Sequence, residues 1–195
     1  MPRPSKKGEV RRSAARVFRR NGYHATSMDA VAAETGLNKG TLYHYYRSKS
    51  ELLFDVIIQP LVDLSEGINA VPDTDPPSVQ LRNLLQVQLR NMITWEDELS
   101  VYFQERRILD RLLDPTEVVA VRREELKFTE RLSGMLSAAQ RSGDFGKFDI
   151  HAAQSAIVGM VAHAGHWFNP RGRLTINQVA EEFANLVLRG LEPRG

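Results

Sequence analysis

Residues 27–49 read SMDAVAAETGLNKGTLYHYYRSK, and this stretch predicts two short helices joined by a tight turn. The first helix is expected over residues 27–35. Gly36 supplies the turn, because a residue without a Cβ adopts positive φ without strain. Asn38 is placed to cap a second helix, expected over residues 39–46. Two helices joined by a glycine-containing turn form a helix-turn-helix, whose second helix enters the major groove of DNA.

Polar and apolar side chains separate onto two sides of the second helix. At about 100° per residue, Leu42 and Tyr46 share one side, where they are expected to pack on the first helix. The other side carries a cation, a bare backbone, a phenol and an imidazole, and no carboxylate: Lys39, Gly40, Tyr43 and His44. This set favours contact with base edges and phosphates. An amphipathic helix without a special role is the plain alternative.

The same stretch resembles the DNA-binding domain of the TetR family of bacterial regulators. The run KGTLYHYYRSKSELL, residues 39–53, carries the resemblance most specifically, and AARVFRRNGYHATS, residues 14–27, fits the family's first helix and its exit. The resemblance implies an all-α protein of about nine helices. A three-helix DNA-binding head is expected over residues 1–50, and a helical ligand-binding and dimerisation body over residues 51–195.

The resemblance also implies which residues meet DNA. In the family pattern a Thr-Ser pair opens the first helix of the motif against the DNA backbone, and a lysine at the start of the fourth helix contacts a phosphate. Either hydroxyl can cap that first helix, with Asp29 in its first turn. Together with the second helix, this predicts a DNA-binding set of Thr26, Ser27, Lys39, Gly40, Thr41, Tyr43, His44, Tyr45 and Lys49.

Charge is distributed unevenly along the chain, although its net value at pH 7 is only +2. Residues 1–50 contain 11 Lys and Arg against 3 Asp and Glu, a net charge of +8, and the remaining residues carry −6. A basic block followed by a mildly acidic body predicts that the first part alone meets a polyanion.

The amino-acid composition restricts the cellular compartment and the kinds of chemical site that can be expected of this protein. The chain contains no cysteine, which excludes a disulfide framework, a thiolate metal site and a cysteine nucleophile. The N-terminus has no apolar segment typical of a signal peptide, and the longest apolar stretch, residues 157–168, is broken by two histidines. We therefore expect a cytoplasmic protein with no membrane partner.

After residue 50 the chain reads as helices joined by turns. A proline-rich linker covers residues 71–77, and helices are then expected over residues 78–94, 97–113, 115–141, 149–168 and from 175 onward. The helix at 149–168 is small or apolar nearly all round, which predicts burial on both sides.

The last two of these helices are the expected dimerisation element. The resemblance implies a C2 homodimer in which they pair with their counterparts in a four-helix bundle, although the residues themselves also allow a large monomer core. A dimer suits a palindromic operator in double-stranded DNA, because one short recognition helix reads too few base pairs for useful specificity.

The resemblance further implies a ligand cavity in the helical body. Candidate lining residues are Trp95, Tyr102, Phe103, Arg106, Phe128, Met135, His163, Trp167 and Arg171. The segment WFNPRGRLT, residues 167–175, resembles the join seen in TetR-type regulators of lipid, fatty-acid and steroid breakdown, several of which respond to acyl-CoA thioesters. Such a ligand needs an apolar tunnel, cations and a stacking ring. Ordinary core packing and a structural turn are the alternatives.

The expected function is a DNA-binding transcriptional regulator, a repressor released from its operator by a small apolar effector, with acyl-CoA as one candidate. A regulator of drug efflux that responds to hydrophobic drugs, and an activator, stay open. A helical interaction protein that does not bind DNA is opposed by the +8 head.

An enzyme is not expected from this sequence. It contains no nucleophile elbow, glycine-rich phosphate loop or paired cysteines. His163 and His166 lie three residues apart, but an apolar helix without a neighbouring carboxylate is a poor metal site. No catalytic residue, metal or cofactor is therefore predicted.

Overall fold

A computed structural model of the chain describes residues 5–169 and 171–192, except for the side chain of His166. These residues form helices joined by turns, and no strand occurs among them, so the expectation of an all-α fold is confirmed. Pro170, which belongs to the segment at residues 167–175, lies outside the described residues, as does the His166 side chain considered for a metal. Within the described ranges no helix has the length and apolar character needed to cross a bilayer.

Ten α-helices follow each other in the described part of the chain. They are α1 (Lys6–Asn21), α2 (Met28–Thr35), α3 (Lys39–Tyr45), α4 (Lys49–Asn69), α5 (Pro77–Thr94), α6 (Glu96–Glu105), α7 (Leu109–Leu112), α8 (Pro115–Ser142), α9 (Ile150–Trp167) and α10 (Ile176–Leu191). A short 3-10 turn, Arg106–Ile108, joins α6 to α7. If residues 96–112 are counted as one interrupted helix, the described residues contain the nine helices that the sequence predicts.

Side-chain caps set several helix starts. Asn38 Oδ1 accepts from the N–H three residues on at 2.8 Å, and Asp149 Oδ1 does the same at 2.7 Å. Thr175 and Gln178 form a capping box at the start of α10. Each cap satisfies an amide that a helix N-terminus leaves without an intrahelical partner. The three starts predicted from these residues are confirmed.

The helices form two compact units. The first comprises Met1–Val62 and Trp95–Glu124, and the second comprises Asp63–Thr94 and Glu125–Gly195. The boundaries between them fall inside α4 and α8 and between α5 and α6, so α4 and α8 contribute residues to both units.

In the first unit, α1 packs against α2 and α6, and α2 packs against α3. Phe18 of α1, Leu42 of α3 and Tyr46 are fully buried. The Tyr46 hydroxyl donates to Asp55 Oδ2 at 2.5 Å. Burial is the main reason that the pKa of Tyr46 is raised, and this hydrogen bond is the second. One side of α3 is thus held against the unit, as the sequence pattern predicts.

In the second unit, α5 packs against α9 and α10. The core between them includes Leu85 and Leu89 of α5, Val161 of α9 and Ala184 of α10. On α9 and α10 the buried residues lie on one side of each helix and exposed residues lie on the other, whereas α5 has few exposed residues.

Two helices differ from their expected form. The helix expected over residues 97–113 is interrupted by the 3-10 turn, and Leu109, directly after the turn, is only 1% exposed. The interruption thus lies directly before a residue of the core. The expectation that α9 is buried on both sides is wrong for a single chain, because Val161 lies in the core whereas Ala156 and Gly159 are exposed.

Candidate nucleic-acid interface

The turn between α2 and α3 sets the orientation of α3. Gly36 ends α2 with φ of 66°, in the left-handed region, and its N–H donates back to carbonyls of α2. Leu37 N then donates to Ala32 O at 3.1 Å. With Asn38 as the cap and Leu42 buried, only one side of α3 faces solvent.

The solvent-facing side of α3 carries most of the residues expected to meet DNA. Lys39, Gly40, Tyr43 and His44 are exposed, whereas Thr41 and Tyr45 are half-buried. A Cβ added at Gly40 would lie 3.5 Å from Asn38 Oδ1, an ordinary contact, so the fold itself does not require glycine here. The bare backbone at this position leaves room for the close approach of a partner.

Lys39 forms an ion pair with Asp29 of α2, a residue outside the set expected from the sequence. Lys39 Nζ lies 2.9 Å from Asp29 Oδ1 and 3.1 Å from Oδ2, and its hydrogen bond to Asp29 raises the pKa of Lys39. Both side chains stay largely exposed, at 61% and 63%. The sequence indicates Asp29 only as an acidic residue in the first turn of α2, because nothing in the local pattern indicates a partner on another helix.

The two hydroxyls expected at the DNA backbone occupy different environments. Ser27 is exposed and caps α2 by accepting from Ala30 N at 3.1 Å. Thr26 is only 2% exposed, and its hydroxyl donates to Gly22 O at 2.8 Å. The Thr26 side chain therefore closes the turn between α1 and α2, and its contact with a phosphate stays a prediction.

Lys49 has its ammonium group engaged within the protein. It donates to three backbone carbonyls of the α1–α2 turn: Tyr23 O at 2.9 Å, His24 O at 3.2 Å and Thr26 O at 2.9 Å. The same nitrogen lies 4.4 Å from the centre of the Tyr23 ring. An ammonium has three N–H donors, and all three have carbonyl partners here. The phosphate contact that the family resemblance implies would have to replace or share one of these bonds.

The arginines at the end of α1 are paired with carboxylates of the first unit. Arg19 Nη1 lies 2.8 Å from both Glu96 and Asp97, and the bond to Asp97 is the main reason that the pKa of Arg19 is raised. Arg20 Nη2 lies 3.2 Å from Glu34 Oε2 and lowers the pKa of that carboxyl. These pairs hold α1 to α6 and α2, and they offset part of the positive charge of the head.

Four residues of the expected ligand set lie in the first unit. The Arg11 guanidinium lies 5.0 Å from the centre of the Trp95 ring. Tyr102 is buried, and its ring lies 5.1 Å from that of Phe103, which is 48% exposed. The Arg106 guanidinium lies 5.9 Å from the Tyr102 ring. The structure therefore brings Tyr102, Phe103 and Arg106 together.

The other five residues of the expected ligand set lie in the second unit: Phe128, Met135, His163, Trp167 and Arg171. Phe128 and Met135 are buried in its hydrophobic core, whereas His163, Trp167 and Arg171 are exposed. Among the described side chains, no group of three or more His, Asp or Glu is arranged to hold a metal ion. The expected set is thus divided between the two units.

The second unit exposes small and apolar side chains on its last two helices. We define the α9–α10 apolar surface as Ala152, Ala156, Gly159 and Trp167 of α9 together with Leu186 of α10. Leu186 is 64% exposed and Trp167 48%, and the Trp167 ring lies 6.1 Å from that of Phe183. The three small residues are also exposed. This surface lies opposite the core-facing side of α9.

A cleft of about 310 Å³ lies between the start of α5 and the end of α10 in the second unit. Its charged lining is balanced, because it contains the two cations Arg82 and Arg189 and the two anions Asp144 and Glu192. Arg82 also donates to Asn185 Oδ1 at 2.9 Å. No residue of the expected ligand set lines this cleft.

Two parts of the chain match known protein families. Residues 11–56 match the family described as bacterial regulatory proteins, tetR family. Residues 74–191 match the tetracyclin repressor-like C-terminal domain, and this match alone spans more than half of the chain.

Curated relatives extend the similarity over nearly the whole chain. The chain is 23% identical over 194 residues to the HTH-type transcriptional repressor KstR2 of Mycobacterium tuberculosis, which covers 98% of this chain and 95% of the relative. It is 25% identical over 173 residues to the HTH-type transcriptional activator FasR of Mycolicibacterium smegmatis, covering 87% and 75%.

Solved structures share the fold. The structure of the ketosteroid transcriptional regulator KstR2 of Mycobacterium tuberculosis aligns with a TM-score of 0.88 at 22% identity, covering 98% of this chain and 97% of that one. The crystal structure of AibR in complex with isovaleryl coenzyme A and operator DNA aligns with a TM-score of 0.77 at 26% identity, covering 98% and 100%.

Proposed function

The chain belongs to the TetR family of bacterial transcriptional regulators, and on that premise we propose that it is a homodimeric repressor whose α3 helices read a palindromic operator. Regulators of this family bind operator DNA and small-molecule effectors, and they are typically dimers. In our proposal residues 1–50 form the DNA-binding head, residues 51–195 form the ligand-binding and dimerisation body, and a small apolar effector releases the protein from DNA.

The observation that carries the DNA-reading role is the solvent-facing side of α3. Lys39, Tyr43 and His44 are exposed there, on a helix held by the Asn38 cap and by buried Leu42. Exposed donors at the start of a recognition helix suit guanine acceptors and phosphates. The exposed residues of the expected DNA-binding set are therefore the proposed DNA contacts. The buried Thr26 is not proposed as one of them.

The α9–α10 apolar surface supports dimerisation through these two helices. A surface of this kind on a C2 axis pairs with its own copy, and the exposed Leu186 and Trp167 then lose contact with water. The exposed small residues of α9 permit a partner helix to approach closely. The dimer also presents two α3 helices to the two half-sites of one palindrome.

The effector is proposed as an apolar small molecule, with acyl-CoA thioesters as the first class to test. The solved AibR complex contains isovaleryl coenzyme A, and the resemblance at residues 167–175 points to the same class. Arg171 offers an exposed cation for the nucleotide end of such a ligand. Trp167 belongs to the α9–α10 apolar surface, so we assign its ring to the dimer interface and not to the ligand. A hydrophobic drug is the alternative effector, since an apolar ligand site favours drugs and acyl groups alike.

A mobility-shift experiment with the protein's own upstream intergenic DNA tests the proposal. We expect binding to a palindrome and release by one member of a fatty acyl-CoA series, with free coenzyme A and free fatty acids as controls. Binding without release by any thioester would contradict the acyl-CoA assignment and leave DNA reading intact. Specific binding unaffected by Lys39→Ala and Tyr43→Ala would contradict the role of α3.

Activation of transcription is the second candidate, because the similar protein FasR is a transcriptional activator. The fold does not set the sign of regulation, since a bound dimer either blocks or recruits polymerase according to the operator position. Transcription in vitro from the cognate promoter separates the two: added protein lowers transcript from a repressed promoter and raises it from an activated one.

A further inference from the structure

The Lys39–Asp29 ion pair lies at the part of the head that is expected to enter the major groove. Both side chains are more than half exposed, and such pairs contribute little to stability because water screens them. A carboxylate at this position also repels the phosphates of an approaching duplex. Asp29 stabilises the first turn of α2 through the helix dipole, but neither this role nor general DNA affinity accounts for its pairing with Lys39.

The two groups offer opposite hydrogen-bonding character side by side. The Lys39 ammonium only donates, and the Asp29 carboxylate only accepts. In the major groove guanine presents two acceptors, N7 and O6, while the paired cytosine presents the N4 amino donor next to O6. Lysine on guanine and aspartate on cytosine are the pairings that these edges favour.

The spacing of the ion pair matches the spacing of these base groups. Lys39 Nζ and Asp29 Oδ1 lie 2.9 Å apart. Guanine O6 and cytosine N4 are hydrogen-bonded to each other within the base pair, at about 2.9 Å. Donor can therefore meet acceptor twice when the protein pair lies along the edge of one G·C pair. A T·A pair also places an acceptor beside a donor, but thymine offers one acceptor and a methyl group where guanine offers two acceptors.

Building on the DNA-reading role proposed above, we propose that Asp29 is a specificity-determining residue that reads one G·C base pair in each half-site together with Lys39. The Asp29 carboxylate accepts from cytosine N4, and the Lys39 ammonium donates to guanine O6 or N7. In the free protein the ion pair already places the two side chains beside each other, near this arrangement. The C2 dimer reads the pair once in each half-site.

Selection of operator sequences from a randomised duplex pool tests the proposal with the full chain. We expect the wild type to select a palindrome that contains G·C at one position of each half-site. The Asp29→Ala variant should select the same palindrome with a weaker preference at that position, because Lys39 alone still donates to guanine. At this position the affinity ratio of G·C over the other pairs should fall by about tenfold per half-site.

Glu34→Ala is the matched control, because it removes one carboxylate from the same helix. Glu34 pairs with Arg16 and Arg20 of α1 and not with a residue of α3. This variant should select the same sequences as the wild type, including the G·C preference. Circular dichroism melting of all three proteins establishes that the compared chains are folded.

The outcomes separate this proposal from the proposed function. If the wild type selects no sequence, DNA reading itself is wrong. If the wild type selects a palindrome and Asp29→Ala binds every sequence more tightly with an unchanged preference, Asp29 only repels the DNA backbone and the proposal is overturned. Loss of an A·T rather than a G·C preference also overturns it.

Discussion

Replacement of Lys49 by Met tests whether this side chain holds the α1–α2 turn or binds a phosphate. Methionine keeps most of the apolar stem and removes the ammonium. Three hydrogen bonds to the carbonyls of Tyr23, His24 and Thr26 disappear together with the contact to the Tyr23 ring. Because Ser27 follows this turn directly, the start of α2 would lose part of its fixed position.

The expected magnitude follows from these contacts. A hydrogen bond to a charged group contributes about 1.5–3 kcal/mol, and an exposed cation–π contact about 0.5–1 kcal/mol. Lys49 is only half-buried, and its ammonium is fully hydrated in the unfolded chain, so the contributions do not add in full. A cation in the first turn of α4 is also disfavoured by the helix dipole, by about 0.3–1 kcal/mol. We expect a net loss of about 2 kcal/mol in the free energy of unfolding.

Two measurements separate the roles of Lys49. Urea denaturation gives the free energy of unfolding, and operator affinity at several salt concentrations gives the slope of log K against log salt. Each phosphate neutralised by a lysine contributes about 0.9 to this slope, or about 1.8 for both subunits of a dimer. We expect Lys49→Met to lower stability and affinity and to leave the slope unchanged.

Lys7→Met is the matched control for loss of a lysine in the same unit. Lys7 is exposed, and its ammonium lies 5.1 Å from the centre of the Tyr46 ring, so its replacement should cost less than about 1 kcal/mol. The reasoning for Lys49 is refuted if Lys49→Met keeps its stability while the salt slope falls by about 1.8. Lys49 would then be a phosphate ligand, as the family resemblance implies.

Three further perturbations have defined outcomes. Gly40→Ala should raise the stability of the free protein slightly, because alanine favours a helix over glycine by about 1 kcal/mol. The same variant should bind the operator more weakly in a mobility-shift experiment. Equal binding would contradict a close approach of DNA to the backbone at Gly40. Leu186→Asp should dissociate the dimer in sedimentation velocity, because the interface would bury an unpaired carboxylate. Val119 is also more than half exposed, and the control variant Val119→Asp should stay dimeric. A Leu186→Asp protein that stays dimeric would exclude this part of α10 from the interface. Burial raises the pKa of Glu98, so folding penalises its ionised form. Glu98→Gln should therefore be more stable than the wild type near pH 7, with a gain that disappears below the ordinary carboxyl pKa of about 4.3, as followed by urea midpoints across pH; a gain independent of pH would contradict this cause.

The amino-acid sequence by itself determined the helix-turn-helix, the family and most helix starts of this protein. The caps at Asn38, Asp149 and Thr175 act within three residues, and Gly36 adopts its left-handed conformation for a reason that lies in the residue itself. Local interactions of this kind are readable from the order of residues, because chain connectivity already brings the partners together. The solvent-facing side of α3 follows in the same way from its helical period.

Only the tertiary structure decided which polar groups are engaged with each other. Lys39 and Asp29 are 10 positions apart, and Lys49 reaches Tyr23 across 26 positions. No local pattern encodes these pairings, because they depend on how separate helices pack. For the same reason, the sequence did not predict the burial of Thr26 or the division of the expected ligand residues between two units. The chemical type of a side chain indicates whether it will be buried or paired. Only the packing of the helices determines which residue becomes its partner.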